Sequence, residues 1–350
     1  MQVRHAETPA AISPLRSHLV LAIALGLSAF LASVDALACA ACGSTLSRDW
    51  ESQGISGKAG ITADLSYDYL NQDRQRYGTS AASSTLINSQ YANGQEVEAY
   101  TKTNTISASL IYNADTWGVS AVIPYVNRSH GTYGSGTPGT VVDGSTLTTS
   151  SDSGIGDIKI IGRYNGFSAD NSSGVIGGIK LPTGNTGAHF SDGVTPLDAG
   201  LQIGTGSTDV ILGGYTTGAF HTYGWFIQGT LQHAVATKKA LGDLDYRPGD
   251  VYSLNSGIRY AVFGAKISPM LQLNIVKKQA DSGAFTVPTD PVTGAPVSGG
   301  TLAYLAPGVT MRVGGGASVY GFVQVPIYQN VNSLQLTPGY ILTLGVRQSF

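Results

Sequence analysis

The chain has 350 residues, and only 12% of them are charged, about half the ~25% of an ordinary soluble domain. A net charge of −2 gives strong nucleic-acid binding no electrostatic support. Mean hydropathy is only +0.06, and past residue 38 nothing approaches the ~18 consecutive apolar residues of a membrane helix, which argues against a helical membrane protein. Glycine (46) and tyrosine (18), together with serine and threonine, fill the difference. That balance suits strands with one apolar and one wet face.

The N-terminus reads as an export signal. Arg4 and Arg16 precede an apolar run from Leu19 to Ala32, and Ala36-Leu37-Ala38 offers a small-x-small cleavage site. Residues 1–38 are therefore set apart from the fold. A polar lead-in, 39–56, opens on Cys39-Ala40-Ala41-Cys42. This pair is open to a local disulfide in an oxidising compartment, lipidation of Cys39, a redox site, or a metal site completed by another chain. Lipidation would want Leu where Ala36 stands, and haem attachment would want His where Gly43 stands.

Residues 57–350 carry about twelve candidate strands: 58–71, 97–112, 116–128, 155–167, 173–183, 207–219, 222–235, 249–262, 264–277, 301–313, 316–328 and 338–350. Most alternate with a period of two. In the first, Ile61, Ala63, Leu65, Tyr67 and Tyr69 oppose Thr62, Asp64, Ser66 and Asp68. The connections alternate as well. Short ones such as 113–115, 220–221 and 314–315 are interleaved with long Gly/Ser/Thr/Asn/Pro-rich ones such as 72–96, 129–154 and 184–206. Aromatics (Tyr112, Trp117, Tyr164, Phe167, Phe220, Tyr223, Trp225, Tyr260, Phe263, Phe350) gather near the short connections, as an interfacial girdle would. Pro124, Pro182 and Pro326 should mark places where pairing ends or bulges.

The final strand tests this pattern. Tyr340, Leu342, Leu344 and Val346 share one face, with Ile341 out of phase, and the chain ends on Phe350. As an open edge it would be an aggregation hazard, whereas pairing with the first strand leaves no edge. The expected fold is all-β: a closed antiparallel transmembrane β-barrel with short periplasmic turns and long extracellular loops. The terminal Phe350 with Val346, Leu344, Leu342 and Tyr340 upstream resembles the signal by which bacterial outer-membrane barrels are recognised by their assembly machinery. A second resemblance rests on Leu181-Pro182-Thr183-Gly184, Gly156-Asp157, Gly204-Thr205-Gly206-Ser207-Thr208-Asp209 and Tyr320-Gly321-Phe322-Val323-Gln324-Val325-Pro326. These phrases look like those of uncharacterised proteobacterial outer-membrane proteins. More loosely, they resemble the phenol meta-pathway barrels, presumed channels for small organic compounds. The resemblance implies an outer membrane location in a Gram-negative bacterium.

If the apolar set faces lipid, the other set lines the lumen. Strand direction puts Arg163, Arg259, Arg312 and Arg347 near the short-turn end, with Lys159, Lys180 and Lys266 as further lumen cations. Asp68, Asp157 and Asp209 fall toward the outer mouth. The expectation is a passive channel whose arginine constriction favours small organic anions. The alternative is a non-conducting surface protein that docks a periplasmic partner through the cysteine segment. Loop 184–206 is long enough to fold inward and narrow the lumen. His130, His189, His221 and His233 stand in no recognisable motif beside a serine, so no enzyme, cofactor or metal is expected.

Overall fold

The computed structural model describes residues 46, 53, 59–92, 97–133, 147–168, 170–237, 245–260, 266–283, 289–290, 292–294 and 296–350. The export signal, Cys39, Cys42 and Phe263 lie outside the described residues.

In chain order the elements are β1 (Gly60–Gly78), β2 (Ser80–Ala81), α1 (Ser84–Ala92), β3 (Val97–Asn113), β4 (Trp117–Tyr133), β5 (Leu147–Ile155), β6 (Ile158–Tyr164) and β7 (Ser173–Leu181). They continue with β8 (Ser207–Phe220), β9 (Tyr223–Thr237), β10 (Tyr246–Arg247), β11 (Val251–Tyr260), β12 (Ile267–Lys278), β13 (Ser282–Gly283), β14 (Gly300–Gly314) and β15 (Ala317–Ser349). Eleven strands pair antiparallel with their neighbours in an unbroken circuit, β1-β3-β4-β6-β7-β8-β9-β11-β12-β14-β15 and back to β1. β2 and β5 are appended to this barrel, and β10 pairs with β13 outside it.

Closure is made by the first and last strands, in register from Thr62↔Ser349 to Leu70↔Ile341. Phe350 N–H donates to Ile61 O at 2.9 Å, so the ladder runs to the last residue. The count differs from the expected twelve because 316–328 and 338–350 fall in the single element β15. Its first arm pairs with β14 from Ala317 to Val331, and its second pairs with β1 from Val331 to Ser349. Both neighbours are antiparallel to it, which demands a reversal. Ser333, at φ 48, sits where the chain turns back. Ser349 N–H donates to Gly316 O at 3.1 Å, joining the two arms.

The prolines fall at breaks. Pro124 lies where β4 changes partner, from β6 at Val122↔Lys159 to β5 at Tyr125↔Ile155. Pro326 lies beside the register shift between Ala303 and Tyr304, and Pro182 follows the end of β7. In each case a missing N–H removes a ladder bond where the ladder is already interrupted.

Burial is inverted relative to a soluble protein. Along β1, Thr62, Asp64, Ser66 and Asp68 are buried while Ile61 and Leu65 are exposed. On β15, Leu344 is 49% exposed and Val346 43%, whereas Thr343 next to Leu344 is fully covered. The girdle is outward too. Tyr112, Trp117, Tyr164, Phe167, Phe220, Tyr223 and Phe350 are exposed, and rings pair at Tyr112–Trp117 (5.4 Å) and Tyr223–Tyr260 (6.0 Å). In water this surface would be among the least stable ways to fold these residues. Facing hydrocarbon it is favourable, and the closed ladder pairs the backbone of each barrel strand with both neighbours.

The interior is not polar throughout. Ile341, the residue out of phase in sequence, is buried with Leu70, Val276, Leu302, Tyr304 and Val331. A second cluster joins Met270, Ala306, Tyr320 and Phe322 with Leu46 of the lead-in. The rings of Tyr320 and Phe322 lie flat over glycines of neighbouring strands. A Cβ at Gly345 would come within 2.2 Å of Tyr320, and one at Gly308 within 2.1 Å of Phe322.

Candidate functional site in the barrel lumen

A cavity of about 520 Å³ opens inside the barrel against the inner faces of β3 to β12. Cross-strand register sorts its wall into three adjacent rows. The first runs Asp64, Ser109, Val122, Lys159, Lys180, Asp209. The second runs Ile111, Ser120, Ile161, Gly178, Ile211, Gln232, Val251, and the third runs Arg163, Ile176, Gly213, Thr230, Ser253. Side chains of one row stand beside each other, and successive rows are two residues apart on every strand.

The first row carries a buried ionic cluster. Lys180 Nζ lies 2.8 Å from Asp209 Oδ2 and 3.4 Å from Asp157 Oδ2. Gln232 Nε2 donates to Asp209 Oδ2 at 2.6 Å, and Lys159 Nζ donates to Gln232 Oε1 at 3.3 Å. Lys159 and Lys180 face each other across β6 and β7, a like-charge contact that the two aspartates offset. Lys180 was expected with the arginines. It sits with Asp157 and Asp209 instead, because β7 runs toward the long 182–206 loop and places residue 180 at its far end.

The arginines stand apart from that cluster. Arg163, Arg259, Arg312 and Arg347 lie within two residues of the ends of β6, β11, β14 and β15, at the short-connection end. Arg163 Nη2 donates to Asn113 Oδ1, and Arg347 pairs in register with Asp64. Asp64 also accepts from Tyr320 OH at 3.0 and 3.1 Å. Lys266 is beside Arg312, whose N–H donates to Lys266 O at 2.8 Å. Asp68 accepts from Thr343 Oγ1 at 2.6 Å, midway along β1. Of the seven expected cations, Arg163, Lys159 and Lys180 line the cavity.

Segment 182–206 folds inward. Ala188, Phe190, Leu197 and Leu201 form a small core of their own, and Ala199, Gly200, Gln202 and Ile203 face the cavity. Two wall residues hold it. Asp157 accepts from Gly184 N–H (3.1 Å), Thr205 N–H (2.9 Å) and Thr205 Oγ1 (2.7 Å), tying both ends of the segment. Arg128 Nη1 reaches the carbonyls of Leu201 (3.0 Å) and Gln202 (2.9 Å), with Gly200 O at 3.4 Å. Sequence reasoning missed Arg128 and Lys278 as lining residues. Parity could have found both. Arg128 shares the inward phase of Ser120 and Val122, and Lys278 that of Gln272 and Asn274.

His233 resembles half a catalytic relay, with Nδ1 2.7 Å from Asp250 Oδ1. Its Nε2, the atom that would serve a nucleophile, faces Arg247 Nη2 at 3.1 Å. His130 is buried, with Nδ1 2.9 Å from Thr101 Oγ1.

No family model and no curated protein matches the chain. Among solved structures, the COG4313 outer membrane channel from Pseudomonas putida F1 superposes with a TM-score of 0.60 at 13% identity, over 84% of this chain and 97% of that one. The β domain of the Bordetella autotransporter BrkA (TM-score 0.44, 11% identity, 84% and 100% coverage) is a looser likeness. So is the Ralstonia pickettii toluene transporter TbuX (TM-score 0.40, 10% identity, 84% and 90% coverage). A soluble barrel keeps its apolar side chains inside. This one turns them outward beneath a ring of aromatics, and the chain has the closed β-barrel fold of the outer-membrane channel it superposes on.

Proposed function

We propose that this barrel is a passive outer-membrane channel for small organic solutes, with a preference for anions. The observation that carries the reading is a cavity in a closed lumen whose lining cations (Arg128, Lys159, Arg163, Lys180, Lys278) outnumber its lining acids (Asp64, Asp209). A positive lumen of low dielectric concentrates anions and repels cations. The connections at residues 114–116, 165–172, 221–222 and 315–316 face the periplasm, and the segment 182–206 narrows the extracellular half. Arg163, Arg259, Arg312 and Arg347 then form the inner ring. Crossing needs no energy input and no chemical step by the protein. Outer-membrane lipid and the barrel assembly machinery are its expected partners.

Current reversal across a planar bilayer in a salt gradient tests this. The native barrel should reverse toward the chloride potential, and Arg259→Gln with Arg312→Gln should move reversal toward zero. Identical reversal in native and doubly substituted barrels removes the arginine ring from the reading.

A second reading is favoured by one observation. Gln272, Asn274, Gln324 and Thr343 inside the barrel have no solvent exposure, so the β12–β15 side of the lumen is packed. On that reading the barrel is electrically closed and docks a periplasmic partner through Cys39 and Cys42. Absence of conductance in reconstituted protein would favour it.

A further inference from the structure

Resting on the channel reading, we propose that the lumen holds a selective station for small amphipathic carboxylates, an anionic head joined to an apolar body several carbons long. The charged row and the apolar row of the wall run side by side. Lys159 stands next to Ile161, Lys180 next to Gly178 and Asp209 next to Ile211, each two residues apart on an inward face. A polar lumen needs no isoleucines. Here Ile161, Ile176 and Ile211 come from three adjacent strands, and Ile203 of the inward segment lines the same space.

Gly178 gives the patch its shape. It lies between Ile161 and Ile211 in register and carries no side chain, so the Ile161 side chain lies against it and the wall there is an apolar strip. A Cβ there would stand 2.8 Å from Ile160 O and 3.2 Å from Ile161 Cγ1. The strip of Ile161, Ile176 and Ile211 accepts an apolar body lying against the strands.

Charge selects the head. Beside this strip Arg128, Lys159 and Lys180 are set against Asp157 and Asp209, an excess of positive charge. A hydrophilic anion would gain the charge contact and nothing from the isoleucines. A neutral hydrocarbon would cover Lys159 and bring no charge to it. A molecule with both parts satisfies both rows. The cavity volume of about 520 Å³ falls within the range that takes small organic ligands.

The test uses the mature protein in detergent for calorimetric binding and in planar bilayers for current, with hexanoate, acetate and 1-hexanol as probes. Hexanoate should bind at least about tenfold tighter than acetate, as burial of a few methylenes requires, and tighter than 1-hexanol. It should also interrupt the current at correspondingly lower concentration. Ile161→Asn with Ile211→Asn should bring hexanoate down to the level of acetate. Lys159→Gln should weaken both carboxylates and leave 1-hexanol unchanged. Heat-modifiable migration in gels establishes that each variant forms its barrel. Equal binding of hexanoate and acetate, equal binding of hexanoate and 1-hexanol, or native hexanoate binding in both variants would overturn the station. A conducting barrel indifferent to chain length refutes the station and keeps the channel. A barrel that discriminates the probes but passes no current supports the station and refutes conduction.

Discussion

Replacing Leu344 with arginine asks what solvent the outer wall meets. Leu344 is 49% exposed and pairs in register with Tyr67 on β1. Ten residue steps separate Tyr340 from Phe350, the two aromatic ends of this face, a rise of ~34 Å along the strand. At a strand tilt near 40° that projects to ~26 Å across the membrane, the height of the apolar band of an outer-membrane barrel. Leu344 and Val346 fall near the middle of that band. Arginine there should cost about 2–4 kcal/mol, falling to about 0–1 kcal/mol at the Tyr340 level. On a water-facing surface the same change would stay within about 0.5 kcal/mol. Equilibrium unfolding of the barrel in phospholipid vesicles with guanidinium reads the difference directly. A Leu344→Arg barrel as stable as the native one, or a cost that does not fall toward Tyr340, would refute a lipid-facing wall.

Arg128→Gln should release the inward segment from β4. Two charge-assisted hydrogen bonds to Leu201 O and Gln202 O are lost, about 3–6 kcal/mol together, visible as faster thermolysin cutting at Phe190 or Leu197 and a larger unitary current. Asp157→Asn acts on the same segment from its other side, so the pair should be non-additive, and simple addition in the double variant would count against a shared clamp. Tyr320→Phe removes the donor to both oxygens of buried Asp64 and should cost about 1.5–3 kcal/mol in vesicle unfolding. Gly308→Ala drives a Cβ into the Phe322 ring and should cost about 1–3 kcal/mol, rescued in part by Phe322→Leu. In the 165–172 turn, the Ser168 hydroxyl, then the Ser172 hydroxyl and N–H, hold the Asp170 carboxyl at about 2, below its ordinary 3.8. Those contacts are therefore fully present above pH 3.8 and are lost as pH falls through about 2. Ser168→Ala should move the carboxyl-carbon titration midpoint upward.

Period-two alternation was enough to separate the lipid face from the lumen face. Each strand reports its own parity, and the terminal Tyr340-Leu342-Leu344-Val346 face needs no tertiary information to be recognised. Low charge, the absence of long apolar runs past residue 38 and an apolar-faced final strand pointed to closure, because an unpaired apolar edge has no stable home in water or lipid. The places where the polarity pattern departed from simple alternation were informative. Ile341 is apolar at an inward position because the interior holds a cluster around Tyr304. Ser333 sits where the chain turns back between the expected strands 316–328 and 338–350.

What sequence could not decide was which inward residues meet. Lys180 lies 23 residues from Asp157 and 29 from Asp209 in the chain, and register across β6, β7 and β8 joins them. That register depends on the stagger of every strand before it, a global quantity that no local window contains. Nor could alternation show that Arg128 would reach the carbonyls of a segment more than seventy residues away, or that isoleucines would line part of a wet lumen. Parity assigns a side chain to the inside, but only the closed sheet decides its neighbours there.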